Sequence, residues 1–232
     1  NVVALTNLGN GLIGTGAPGE AISVLERAVV LDQRSALAHF GLANAHDELA
    51  NENPEDGHLE IAESHYLQAL EINPDYFAAQ LNLGIVLKMM TRFDSAEACF
   101  RRALELRPGE VECMINLAEI LVDQDKYEEA MDMYRSMSSS PERLNIIRRL
   151  AHLWQEKGEF EKAREVVEEL RLKDPQSGIV FTVLSSDRSH HFTEEEVVHA
   201  EQLSDDPSVD YAERLSIKFA LARYLDTIGD YD

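Results

Sequence analysis

"AEILVDQDKYEEA", residues 118–130, reads as the end of one helix, a turn and the acidic start of a second helix. It opens on a small residue, Ala118, has a large apolar residue three later, Leu121, and closes on Ala130, three residues after the aromatic Tyr127. The same pattern stands in "AHLWQEKGEFEKA" (151–163), "GIVLKMMTRFDSA" (84–96) and "GNGLIGTGAPGEA" (9–21). There Trp154, Leu87 and Leu12 hold the apolar place, and Phe160 and Phe93 the aromatic one. "ARYLDTIGDYD" (222–232) begins another copy, with Leu225 and Tyr231 in position.

The small residues Gly84, Ala118 and Ala151 are 34 and 33 apart. Ala43 precedes Gly84 by 41, which is one period plus an insertion of 7, "NENPEDG" (51–57), a turn-forming cluster. Gly9 stands 34 before Ala43, Ser185 takes the slot after Ala151, and Ala222 follows at a gap of 37. The second halves also repeat, starting at Ala21, Ala62, Ala96 and Ala163, and three end on proline, at Pro74, Pro108 and Pro175. Proline lacks an amide donor and disfavours helix in the residue before it, so it closes those three units. Small residues sit where two helices cross closely, and large apolar residues at helical spacing fill the space around them. Each unit is a helix hairpin that cannot bury its apolar face alone and stacks on the next.

This pattern resembles the tetratricopeptide repeat, whose period and small, aromatic and proline positions match over nearly the whole chain. The resemblance implies an all-α, right-handed superhelix (solenoid) of stacked antiparallel helix hairpins. The expected array covers 1–232 as one domain. Its repeats fall at about 2–35, 36–76, 77–110, 111–143 and 144–177, with a degenerate copy at 178–209 and a half repeat at 210–232. In the degenerate copy the usual aromatic and alanine are missing, but Thr193 with Glu196 forms a capping box for its second helix. The last helix would leave an apolar face open, and arrays end in polar caps, so the natural chain is expected to continue.

Hydrophobic content of 44%, with 7 Pro and 12 Gly, favours a folded, helix-rich chain. Acids outnumber bases 43 to 21, a formal charge of −22, which repels phosphate backbones and anionic lipid. Neither nucleic acid nor a membrane is therefore an expected partner; Arg101/Arg102 and Arg148/Arg149 are short pairs among acids. No run approaches the ~18 apolar residues of a membrane span. Cys99 and Cys113 make no disulfide framework, which points to a reducing, cytoplasmic setting.

Positions −3, +1, +4 and +5 from each small residue fall on one helical face. In tetratricopeptide arrays this stripe lines the concave groove that holds peptides, and the resemblance implies that role here. In the first two copies it carries Thr6, Asn10, Ile13 and Gly14, then Phe40, Asn44, Asp47 and Glu48. The next two carry Leu81, Ile85, Lys88 and Met89, then Ile115, Glu119, Val122 and Asp123. The fifth carries Arg148, His152, Gln155 and Glu156, and the last Phe219, Arg223, Asp226 and Thr227. Leu81, Ile85, Met89, Ile115 and Val122 form an expected apolar patch, unless a neighbouring helix covers them. A clamp for a C-terminal carboxylate needs paired Lys and Asn on this stripe. Asn10 and Asn44 fit the Asn places, but Thr6 and Phe40 stand in the Lys places, so the charged donors are missing.

No metal or cofactor is expected. His190 and His191 read as polar loop, and His58 and His65, seven apart, as solvated. Cys99 reads as a small buried hydrophobe. Cys113 starts a helix whose dipole could lower its pKa, though no histidine partner is placed. Trp154 reads as core, and no catalytic constellation is visible. The expected function is a scaffold that binds a peptide or protein. One alternative is the substrate-recruiting arm of a larger enzyme: "DDPSVDYAERLSIKFALARYLDTIGDYD" (205–232) resembles the segment where bacterial arrays enter a sulfotransferase domain, and glycosyltransferases are a further case. The phosphosulfate-binding motif of that family is absent. Another alternative is self-association into a homo-oligomer.

Overall fold

The computed structural model describes residues 1–52, 56–137, 141–173, 178–185 and 191–229, apart from the side chains at 52, 141–146, 148, 173, 179, 227 and 228. The described residues form α-helices and no strand. Residues 53–55 of the expected insertion, together with Pro175, His190 and Tyr231, lie outside them. The chain divides into two compact units, Asn1–Met133 and Tyr134–Asp232.

The first unit contains α1 (Val2–Gly14), α2 (Pro18–Leu31), α3 (Ala36–Glu52), α4 (His58–Ile72), α5 (Phe77–Met89), α6 (Phe93–Leu106) and α7 (Val111–Asp123). Helix α8 (Tyr127–Ser136) runs across the division. Each helix packs on its successor from α1 to α7, and α1 also meets α3 as α5 meets α7. This is a stack of helix hairpins in which every first helix touches the next first helix.

The turns α1–α2, α5–α6 and α7–α8 are the same object repeated. The amide of Ala17 donates to Leu12 O at 2.9 Å, Arg92 to Leu87 O at 2.9 Å and Lys126 to Leu121 O at 2.8 Å. One residue earlier, Gly16, Thr91 and Asp125 donate to Ile13, Lys88 and Val122. These paired bonds are Schellman caps, which need a left-handed residue just past the helix. Gly16 supplies it at φ 76°, but Thr91 and Asp125 are forced to 57° and 61°. A β-branched residue is a poor occupant of that region, whereas Asp tolerates it. Thr91→Gly is therefore expected to raise stability by about 1 kcal/mol, the strain relieved less the entropy of the freer unfolded chain. Urea unfolding would show it as a raised midpoint at unchanged slope, with a smaller gain for Asp125→Gly.

Small residues lie at the crossings as their spacing predicts. A Cβ on Gly9 would fall 2.4 Å from Leu25 Cγ, and one on Gly84 2.8 Å from two ring carbons of Phe100. Ala43, Ala62, Ala96, Ala103, Ala118 and Ala130 are fully buried. Tyr66 is also fully buried, and its hydroxyl donates to Asn44 Oδ1 at 2.7 Å. Asn82 Nδ2 donates to the same oxygen at 3.0 Å and to the Tyr66 hydroxyl at 3.3 Å. Three helices of two successive hairpins thus share one acceptor.

The second unit contains α9 (Pro141–Glu156), α10 (Phe160–Lys173), α11 (Ile179–Leu184), α12 (Glu194–Asp205) and α13 (Tyr211–Ile228). Glu159 N donates to Trp154 O at 2.8 Å and Gly158 has φ 76°, so the α9–α10 turn repeats the cap of the first unit. Trp154 is core at 2% exposure. The expected capping box opens α12: Thr193 Oγ1 accepts from Glu196 N at 3.2 Å, and Glu196 Oε2 accepts from Thr193 N at 2.8 Å. Phe181, Phe192 and Tyr224 form an aromatic group, with Phe181 stacked on Phe192 at 4.2 Å and Tyr224 edge-on to Phe192 at 4.9 Å. Ala222, expected at a close crossing, is exposed instead. Helix α13 packs on α11 and α12 through Ile217, Ala220, Leu221 and Tyr224, and Ala222 points away from that face.

Candidate partner-binding face

In the first unit the stripe lies on α1, α3, α5 and α7, helices tied to one another by polar contacts. Asn82 on α5 reaches Asn44 on α3. Lys88 on α5 donates to Asn116 Oδ1 at 2.9 Å and to Glu119 Oε2, both on α7. Asn10 on α1 lies against Gly41 on α3, where a Cβ would come within 2.8 Å of its Oδ1. That oxygen is buried and accepts no hydrogen bond among the described residues.

The apolar patch is smaller than its spacing suggests. Leu81 and Val122 are 7% and 3% exposed, and Thr6 is 1% exposed with its hydroxyl spent on Val2 O at 2.9 Å. Neighbouring helices cover all three, as large apolar side chains on a packed layer usually are. Ile85 and Ile115 remain half-buried, and Met89 is 44% exposed. Ile85 and Met89 are one turn apart on α5, as Ile115 and Glu119 are on α7. Phe40 is half-buried, its ring 4.8 Å from that of Tyr76 and 5.9 Å from that of Tyr66.

Acid prevails on this face. The charge of Lys88 is met by Glu119. Asp47 is half-buried, and burial first and then Glu48 push its carboxyl up to about 6. The basic pair on α6 is equally engaged: Arg101 meets Glu129 at 2.7 Å and Glu97 at 2.8 Å, and Arg102 meets Asp75 and Glu105. In the second unit His152 is exposed, Gln155 Nε2 donates to Val183 O at 2.9 Å, and the side chain of Arg148 lies outside the described residues.

Two expectations need correction. His58 and His65 are not solvated: each is half-buried and faces a histidine of α3, a contact discussed below. Cys113 is fully buried, and burial with Glu110 and Glu112 drives its thiol up to about 11, overriding any help from the helix start. Cys99 is buried with its thiol also raised to about 11. The sequence reading also passed over the Asn44–Tyr66–Asn82 group. Its signal was a buried tyrosine place and two amides on successive first helices.

Among the described residues no three of His, Cys, Asp and Glu converge to hold a metal ion, and no helix is long and apolar enough to cross a membrane. The second unit holds a cavity of about 430 Å³ lined by Val180, Phe181, Phe192, Ala200 and Leu203, with the Arg171–Glu196 ion pair at its edge.

Family models described as tetratricopeptide repeat match residues 75–137 and 121–185. No curated protein matches the chain in sequence. Two crystal structures of MamA are similar, each at 24% identity over 66% of this chain. One has a TM-score of 0.54 and 81% of its own chain covered, the other 0.53 and 76%. At that identity the likeness speaks for the fold alone. The first repeat domain of Spaghetti (RPAP3), bound to an HSP90 peptide, superposes with a TM-score of 0.49 at 22% identity, over 53% of this chain and 93% of its own. That superposition is too loose to carry its ligand across.

Proposed function

We propose, from the premise that the chain is a tetratricopeptide repeat protein, that it is a protein-interaction scaffold holding a peptide or protein partner against the inner layer of its first unit. The observation that carries this reading is the stripe on α5 and α7, where Ile85, Met89 and Ile115 keep exposed apolar surface among ordered polar groups. A partially open apolar strip with a polar rim is what a binding surface needs.

Charge narrows the partner. Lys88 is neutralised by Glu119, while Asp47 and Glu48 leave the neighbouring α3 surface acidic. A peptide with an apolar anchor and basic flanks suits this face, and its association rate should fall as salt rises. The test is peptide selection from a random library, followed by calorimetry on the wild type and on the Ile85→Glu/Met89→Glu variant. The variant is expected to bind selected peptides at least tenfold more weakly with unchanged circular dichroism, since it places charge where an apolar group must dock. Equal affinity would remove this face from the binding site.

A second reading is self-association, favoured by α13. Tyr211, Leu215 and Phe219 form a stripe along it, 70%, 42% and 66% exposed. A mass by light scattering that rises with concentration, and no longer rises in Phe219→Glu, would support it. A constant monomer mass would dismiss it.

A further inference from the structure

Four histidines stand in a row between α3 and α4. His39 Nδ1 lies 3.1 Å from His65 Nδ1, and His46 Nδ1 lies 3.0 Å from His58 Nδ1. The rings of His46 and His65 stack at 6.3 Å, which joins the two pairs. His39 and His46 are 5% and 9% exposed. Each helix carries its two histidines seven residues apart, so two turns of α3 match two turns of α4.

A neutral imidazole has one N–H and one lone pair, and a protonated one has two N–H groups and no acceptor. A contact between two Nδ1 atoms therefore needs one donor and one acceptor. For His39 the roles follow from its other nitrogen. Nε2 is 3.2 Å from Gln33 O, which can only accept, so Nε2 carries hydrogen. In neutral His39, Nδ1 then offers its lone pair and His65 Nδ1–H donates to it. His65 can take a proton at Nε2 without losing this bond. A second proton on the pair must go to His39 Nδ1, which sets two N–H groups against each other and two cations side by side. The same count holds for His46 and His58. While α3 and α4 stay packed, the four rings hold about two protons; once apart, they can hold four.

We propose that this histidine row is a proton-operated latch, holding α3 against α4 at neutral pH and releasing it on acidification. The charged groups around it act in the same frame. Burial, then His39 and His46, lower His65 to about 4 against Glu26 on α2, so even the first proton, which the hydrogen bond would permit on His65 Nε2, is held off by its surroundings. Burial and then His58 lower His46. A group with a depressed folded pKa stabilises above its unfolded value of about 6.5 and loses that contribution as pH falls. Asp47 on α3 works the other way: with its carboxyl raised to about 6, it favours the packed state as pH falls through that value. The histidines must outweigh it, and Asp47→Asn should make the pH response steeper.

Two measurements on the whole chain decide. The first is an NMR titration of the imidazoles, in which one ring of each pair is expected to protonate well below pH 6. Four independent titrations near 6.5 would overturn the proposal. The second is native-state hydrogen exchange, corrected for intrinsic rates. The opening equilibrium of α3 and α4 amides is expected to rise roughly tenfold or more from pH 7 to 5, a value reduced for partial solvent screening. Amides of α6 and α7 serve as the internal reference. Equal change in all four helices would also overturn it. His46→Gln/His65→Gln should flatten the α3–α4 response. If that variant does not fold, the wild-type titration still decides.

Discussion

Tyr66→Ala is expected to destabilise the first unit by about 4 kcal/mol in urea unfolding. Removing a fully buried aromatic side chain costs about 3–5 kcal/mol through lost transfer energy and the cavity left behind. Tyr66 is at 0% exposure, and its ring borders Phe40 at 5.9 Å. The hydroxyl adds a polar loss, because it donates to Asn44 Oδ1 and accepts from Asn82 Nδ2. Tyr66→Phe separates the two contributions. It keeps the ring and leaves Asn44 with its bond from Asn82, so the expected cost is only about 1 kcal/mol. If Phe and Ala cost the same, the ring's packing is not what stabilises this hairpin.

Gly84→Val is expected to cost about 3 kcal/mol by the opposite mechanism, since no space exists for the added atoms. The first of them would stand 2.8 Å from Phe100 Cε1 and Cζ, and Phe100 is itself fully buried. The ring can retreat only by pushing the α5–α6 hairpin apart, and overpacking of this kind costs about 1–3 kcal/mol. Combining Gly84→Val with Phe100→Leu should recover at least about 1 kcal/mol relative to the sum of the single changes, because the two residues compete for one volume. Strict additivity would mean that the glycine is not needed for close approach.

How much was legible in the sequence depended on periodicity. Gly84 and Trp154 repeat places filled elsewhere, so their roles could be read from spacing. The capping box at Thr193 and Glu196 is a local pattern and was equally readable. Leu81 and Val122 were misplaced as open surface, because the stripe rule knows the face of one helix but not how far its neighbour leans over it. Ala222 was misplaced because α13 packs on α12 and the short α11 through Ile217, Ala220, Leu221 and Tyr224, a different face from the one the repeat register assigns. The histidine row escaped notice because its partners sit on two helices. The spacing of His58 and His65 gains meaning only beside the equal spacing of His39 and His46.

The two thiols carry a practical consequence. Cys99 on α6 and Cys113 on α7 are buried, free and pushed to about 11. A thiol in that condition reacts with a labelling reagent only while its helix is open, so modification follows the population of the open form, and the opening rate itself where labelling outpaces reclosing. The chain therefore carries its own pair of chemical clocks. Cys99 senses Glu63 on α4 while Cys113 senses Glu110 and Glu112 around the start of its own helix, so the two can time the breathing of different parts of the first unit without an inserted probe. By the same token, one cysteine introduced on an exposed site such as Met89 could take a dye while both native thiols stay silent.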